Sequence, residues 1–166
     1  MKKYKVIFAV SLTAFASATV SAQIKENSYA IVNVVTGKVL RIKDANSQDG
    51  TPIVSYSPVN WKCVTWDFQQ TKDGAYRLKN LFSEKTLGPS NDGKRLEEQS
   101  IVNGSEEQVY ELIPAGNDTY FIKQRKKGLF VTPADENGTV DEPVLLQVKK
   151  DSDIQKWRLR EQHPTM

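Results

Sequence analysis

Apolar and polar residues alternate along most of this chain, and the alternation comes in three similar blocks. Each block opens on a tyrosine among apolar positions: Tyr29-Ala30-Ile31, Tyr76-Arg77-Leu78 and Tyr120-Phe121-Ile122. Each carries a lysine two residues before a leucine, Lys38 and Leu40, Lys85 and Leu87, Lys127 and Leu129. Each closes on an aromatic, a charged and an apolar residue: Trp66-Asp67-Phe68, Tyr110-Glu111-Leu112 and Trp157-Arg158-Leu159. The opening tyrosines stand 47 and then 44 residues apart, the closing aromatics 44 and then 47. A period of two with β-branched and aromatic residues is the strand pattern. A fixed spacing in the forties is one supersecondary unit used three times.

The closing strands put Val64, Trp66 and Phe68 on one face, and likewise Gln108, Tyr110, Leu112 and Gln155, Trp157, Leu159. Turn signals separate the strands, among them Thr36-Gly37, Gln48-Asp49-Gly50, Asn91-Asp92-Gly93 and Asn137-Gly138. This gives about four short strands per block and roughly twelve in all. No stretch keeps a helical period, and only Glu97 to Glu106 is expected to hold a short helical turn. One such unit cannot bury its apolar face alone, so the three are expected to close an all-β barrel capped by hairpins, with pseudo-threefold symmetry. The repeats run approximately over 29–70, 75–114 and 119–160, and Glu161 to Met166 reads as a loose tail.

Residues 1–22 lie outside that scheme. Lys2, Lys3 and Lys5 precede an apolar run from Val6 to Ala16, and Val20-Ser21-Ala22 supplies small residues of the kind a signal peptidase reads. A secretory signal is therefore expected, with a single domain over 23–166 and a secreted or periplasmic destination. The apolar run is too short to span a bilayer, so no membrane partner is expected after cleavage. The full chain has 23 basic and 20 acidic residues; the signal holds three lysines and no acid, leaving 20 of each. A balanced charge gives no reason to expect nucleic-acid binding. Cys63 is the one cysteine, so no intramolecular disulfide is available, and its apolar-alternating surroundings make it a buried small residue.

Catalytic chemistry finds little support. His163 is the one histidine and sits in the tail, which leaves no Ser-His-Asp or Cys-His arrangement and no multi-histidine metal site. Asp44-Ala45-Asn46-Ser47-Gln48-Asp49-Gly50 alternates oxygen-bearing side chains as a calcium loop does, but its glycine is misplaced and no bidentate glutamate follows. No metal or cofactor is expected. Lys123, Arg125, Lys126 and Lys127 form the densest basic cluster and read as a solvated turn. Asn103, Asn117 and Asn137 begin glycosylation-type triplets that read as turns.

The motifs themselves resemble the ricin B-type lectin-like β-trefoil. The run Tyr29-Ala-Ile-Val-Asn-Val-Val-Thr-Gly-Lys-Val-Leu40 resembles that family's opening hairpin, and Asp49-Gly50-Thr51-Pro52-Ile53-Val54 its third-strand entry. Gln108-Val109-Tyr110 and Gln155-Lys156-Trp157 are similar to its Gln-x-Trp closing motif, which the first repeat replaces with Val64-Thr65-Trp66. The resemblance spans Tyr29 to about Arg160. It implies a β-trefoil with shallow sugar pockets, each using an acid after the second-strand leucine, an aromatic near the end of the third strand and an asparagine before Gln-x-Trp. This chain has Arg41, Gly88 and Phe130 at the acidic position. Tyr56, Gln99 and Gln147 stand at the aromatic one, and Cys63, Glu107 and Ile154 at the asparagine one. Gln108 and Gln155 are therefore expected to be structural hydrogen-bonders.

The first repeat holds the best candidate site. Asp44, Tyr56, Asn60 and Trp61, with Asp49, would form a rearranged pocket of rings and carboxylates for a glycan or polysaccharide. The expected function is a carbohydrate-binding module without catalytic activity. The alternative is a protein-binding trefoil, such as a protease inhibitor, that works through its surface loops.

Overall fold

The structure, a computed structural model, describes residues 22–23 and 26–166. The expected signal segment lies outside the described residues except for Ala22, whose backbone N–H donates to the Leu112 carbonyl. Twelve short strands are present among the described residues, four per repeat. They are β1 (Ser28–Asn33), β2 (Val39–Ile42), β3 (Ile53–Tyr56) and β4 (Trp66–Gln70); β5 (Tyr76–Asn80), β6 (Thr86–Pro89), β7 (Leu96–Gln99) and β8 (Tyr110–Pro114); β9 (Thr119–Gln124), β10 (Phe130–Pro133), β11 (Val144–Gln147) and β12 (Lys156–Glu161).

First and fourth strands make the barrel. β1 pairs with β4, β4 with β5, β5 with β8, β8 with β9, β9 with β12, and β12 returns to β1, all antiparallel. Second and third strands form three hairpins, β2–β3, β6–β7 and β10–β11. Single bridges between Pro52 and Glu97, Val54 and Pro143, and Arg95 and Leu145 tie the hairpins into a cap. This is a β-trefoil: six strands close on themselves and leave the barrel no open edge.

The three closing aromatics explain the repeat chemically. Trp66 lies opposite Tyr29, Tyr110 opposite Tyr76, and Trp157 opposite Tyr120. Each closing ring is buried and donates one hydrogen bond to a second-strand carbonyl: Trp66 Nε1 to Leu40 at 3.2 Å, Tyr110 Oη to Leu87 at 3.1 Å, and Trp157 Nε1 to Val131 at 3.0 Å. A large ring fills the barrel while its polar atom stays satisfied.

Those bonds correct the alignment of the third repeat. Val131, not Leu129, is the counterpart of Leu40 and Leu87. Asn33, Asn80 and Gln124 donate their backbone N–H to Lys38, Lys85 and Leu129 respectively, so Leu129 takes the place of the two lysines. All three turns have the same length; the lysine-rich third turn only brings Lys127 two residues early. The acidic position in the third repeat is therefore Thr132 and not Phe130. The helical turn expected within Glu97 to Glu106 is also displaced. Leu96–Gln99 is strand, and a 3-10 turn occupies Glu106–Gln108, matched by Lys62–Val64 and Asp153–Gln155 before the other closing strands. A fourth 3-10 turn, Lys43–Ala45, belongs to the first repeat alone.

A second threefold device is built from amides. The Asn80 side chain donates to the carbonyls of Cys63 and Thr65 and accepts from the N–H groups of Phe82 and Ser83. Asn33 does the same between Ile154 and Lys156 on one side and Val35 and Thr36 on the other. Gln124 bonds to the Glu106 and Glu107 carbonyls and accepts from Lys127. All three are buried, and each clamps its own turn onto the 3-10 turn of the preceding repeat.

One core cluster fills the barrel and the underside of the cap. A smaller one, Ala30, Val39, Cys63 and Val64, lies beneath Tyr56 and Val59, so the thiol is packed as a small apolar group. Among the described residues no helix is long and apolar enough to cross a membrane.

Candidate functional site

The register makes the three lectin-type positions comparable. Arg41, Gly88 and Thr132 are equivalent on the second strands, and Tyr56, Gln99 and Gln147 on the third. In the first repeat the Arg41 guanidinium lies over the Tyr56 ring, 4.0 Å from its centroid, and pairs weakly with Asp141 at 3.7 Å. Asp141 comes from the third repeat, whose loop docks on β3 through the Asp141 N–H to Ser55 carbonyl and Ser55 N–H to Glu142 carbonyl bonds. The ring face that would meet a sugar is thus covered by a cation from the same repeat. In the second repeat Gly88 leaves room for the Gln99 side chain, which folds back to donate to the Pro89 carbonyl; a Cβ at residue 88 would collide with its amide. In the third repeat Thr132 Oγ1 accepts from Gln155 Nε2. In the first two repeats these positions are taken up by the protein's own groups; in the third, Gln147 lines a cleft of about 390 Å³ with Asp92, Lys94, Arg95, Leu145 and Leu146.

The two closing glutamines serve the loops before them. Gln108 accepts from Val102 N–H and donates to the Ser100 carbonyl and Gln99; Gln155 accepts from Lys150 N–H and donates to the Val148 carbonyl as well as to Thr132. Both are buried structural hydrogen-bonders.

Of the candidate residues, the fold brings Tyr56 and Trp61 together, with ring centroids 6.2 Å apart and planes inclined by 34°. Asp44 and Asp49 are elsewhere. They line a shallow cleft of about 300 Å³ with Lys43, Asn46, Gln48 and Thr51. Asp49 is engaged by Lys85 Nζ at 2.7 Å and Ser100 Oγ at 3.1 Å, and the Lys85 hydrogen bond is the main force holding its carboxyl below the ordinary range. Asp44 sits exposed in the left-handed conformation (φ 55°) inside the Lys43–Ala45 turn. Asn60 is exposed in the loop leading to Trp61. Trp61 itself is 39% exposed and faces a second cleft, about 390 Å³, lined by Ala45, Lys62, Cys63, Phe82 and Met166. Phe82 escaped the sequence reading because it belongs to the second repeat's turn. Ala45 separates the two clefts, so Asp44 and Trp61 flank the same short turn.

The basic cluster is largely neutralised. Lys123 pairs with Glu111 at 3.0 Å, Lys126 with Glu107 at 2.9 Å, and Arg125 with Asp73, Glu106 and Glu111. The Arg125 hydrogen bond, helped by Thr71, lowers the Asp73 carboxyl to about 2. Among the described residues no group of three or more His, Cys, Asp or Glu side chains is placed to hold a metal ion.

Glu98 is the anomaly. It is 1% exposed at the position held by Ser55 and Leu146 in the other hairpins, and neither carboxylate oxygen has a hydrogen-bond partner within bonding distance. Burial pushes its pKa up, against the smaller opposing pull of Ser83 and Lys85. A raised folded-state value means that the folded chain holds this proton more tightly than the unfolded chain. Its contribution is therefore most favourable below the ordinary 4.5 and is lost as pH rises through the folded value. Glu98→Leu, which copies the third repeat, should raise Tm at pH 7 by several degrees, with the gain shrinking towards pH 4. Melting curves across that range check it; a gain independent of pH would show that the carboxylate is not the cause.

A closed six-stranded barrel with three capping hairpins defines a β-trefoil. The profile of the ricin-type beta-trefoil lectin domain-like family matches residues 17–102 and again 62–147, and the chain belongs to that family. It is similar to the designed threefold-symmetric protein ThreeFoil, at 24% identity and TM-score 0.76, with 81% of this chain and 98% of that one covered. It is also similar to the Rhizoctonia solani agglutinin, at 18% identity and TM-score 0.72, covering 86% and 100%. A third similar structure is the Macrolepiota procera ricin B-like lectin in complex with lactose, at 20% identity and TM-score 0.67, covering 84% and 99%. At such identities these likenesses speak for the fold. No curated protein sequence matches the chain.

Proposed function

We propose that this chain is a secreted or periplasmic carbohydrate-binding module that does not catalyse, with its glycan contact on the first repeat. The observation that carries the reading is the exposed Trp61 ring, supported by Tyr56 and facing Phe82 across a cleft, on a scaffold of the ricin-type lectin family. An indole covers the C–H face of a sugar and the exposed Asn60, its neighbour in sequence, offers an amide for hydroxyls, while Asp44 lines the other cleft. Tyr56 holds Trp61 and is itself covered by Arg41, so Trp61 is the platform and Tyr56 its support. The expected lack of catalysis accords with the placement of His163, exposed in the tail beside Glu161.

The test is a broad glycan array with the purified protein, Trp61→Ala and Tyr56→Ala. Binding should fall at least tenfold in Trp61→Ala with Tm little changed, and less steeply in Tyr56→Ala. A blank array for the wild-type protein retires the reading. One observation favours a protein partner instead: the Trp61–Phe82–Met166 cleft has an apolar lining throughout, which suits a partner's side chain. Capture of a protein ligand that Trp61→Ala abolishes, together with a blank array, would establish that alternative.

A further inference from the structure

A cleft of about 790 Å³ lies at the seam of the first two repeats, remote from the hairpin positions that the family uses. The β4–β5 turn, Gln69 to Asp73, forms one wall and the loop Asn103 to Glu106 the other, with Val109 buried at its base. Its volume falls within the range of about 300–1,000 Å³ usual for ligand sites.

Two guanidiniums line it, and they differ. Arg125 is saturated by Asp73, Glu106 and Glu111, which leaves those carboxylates engaged as well. Arg77 forms no hydrogen bond or ion pair with any described residue, and its Nε is buried without a partner. A guanidinium is a planar fork of donors that matches an oxyanion two bonds at a time. Around it Gln70, Asn103 and Ser105 present amide and hydroxyl groups of the kind that pair with sugar hydroxyls. The seam therefore combines two cations without an ion pair among the described residues, Arg77 and the more exposed Lys72, with neutral hydrogen-bonding groups.

We propose that this seam cleft binds the anionic group of an acidic saccharide, carboxylated or sulfated, through Arg77, with Asn103, Ser105 and Gln70 taking adjoining hydroxyls. The proposal rests on the carbohydrate reading above and extends it to a second contact and a substrate class. It is tested by titration calorimetry of the purified protein with tetragalacturonate, with its neutral counterpart galactotetraose, and with a heparin-derived tetrasaccharide. One acidic ligand should bind and the neutral one should not, and which acidic ligand binds separates carboxylate from sulfate recognition. Arg77→Gln should weaken binding tenfold or more, Arg77→Lys should restore only part of it, and Trp61→Ala should leave it in place. Asn103→Ala, in an exposed loop, supplies a second variant if Arg77→Gln melts early, and should also weaken binding. Equal affinity in wild type and Arg77→Gln, or binding that Arg77→Lys restores in full, would overturn the proposal. No heat from either acidic ligand, with neutral hits on the array, sinks the seam site and leaves the carbohydrate reading standing. Blanks in both experiments remove the two together.

Discussion

Asn80→Ala should lose about 3 kcal/mol of stability, a fall of roughly 10 °C or more in Tm for a domain of this size. The substitution removes one buried amide and strands four backbone partners: the carbonyls of Cys63 and Thr65 and the N–H groups of Phe82 and Ser83. Asn80→Asp keeps the acceptor but sets a buried carboxylate oxygen against the Cys63 and Thr65 carbonyls, and at pH 7 it should cost at least as much as Ala. Urea denaturation measures both; a loss below about 1 kcal/mol would mean that the turn relaxes onto other partners and that the clamp is ornamental.

Trp157→Ala should cost more, about 3–5 kcal/mol, as large-to-small changes in a packed core do. The indole is 1% exposed, lies opposite Tyr120 on β9, and donates to the Val131 carbonyl. Trp157→Phe separates the contributions: it keeps most of the apolar contact and gives up the hydrogen bond, for about 1–2 kcal/mol. If Trp157→Ala does not fold, Trp157→Phe still reports. A Phe variant as stable as the wild type would show that the bond to Val131 contributes nothing net.

The scaffold was written in the sequence because it rests on side chains that recur at a fixed spacing. The opening tyrosines and closing aromatics sit opposite one another in every repeat, so their periodicity carries the barrel directly. The amide clamps stand at that same spacing, at 33, 80 and 124, but an asparagine at the start of a turn reads as an ordinary turn residue, and the third is a glutamine. Leu129 misled for a related reason: the lysine used as a landmark moved by two residues while the backbone did not. The site is harder to read because nothing in it repeats. Arg41 and Tyr56 meet by a diagonal across β2 and β3, and Asp141 arrives from a loop about a hundred residues on. Trp61 and Phe82 come from different repeats, and Asp44 is turned aside by a left-handed backbone conformation that the sequence gives no reason to expect.

Each clamp reaches into the repeat before it, and the first, Asn33, reaches across the chain ends into Ile154 and Lys156 of the third. The three units therefore hold one another in a ring with no first member, unlike a stacked array that frays from its ends. Hydrogen exchange of the barrel amides is therefore expected to proceed through one global opening rather than repeat by repeat. The proposed contact residues lie outside this ring, on turns and seams, where a substitution leaves the clamps of the barrel untouched.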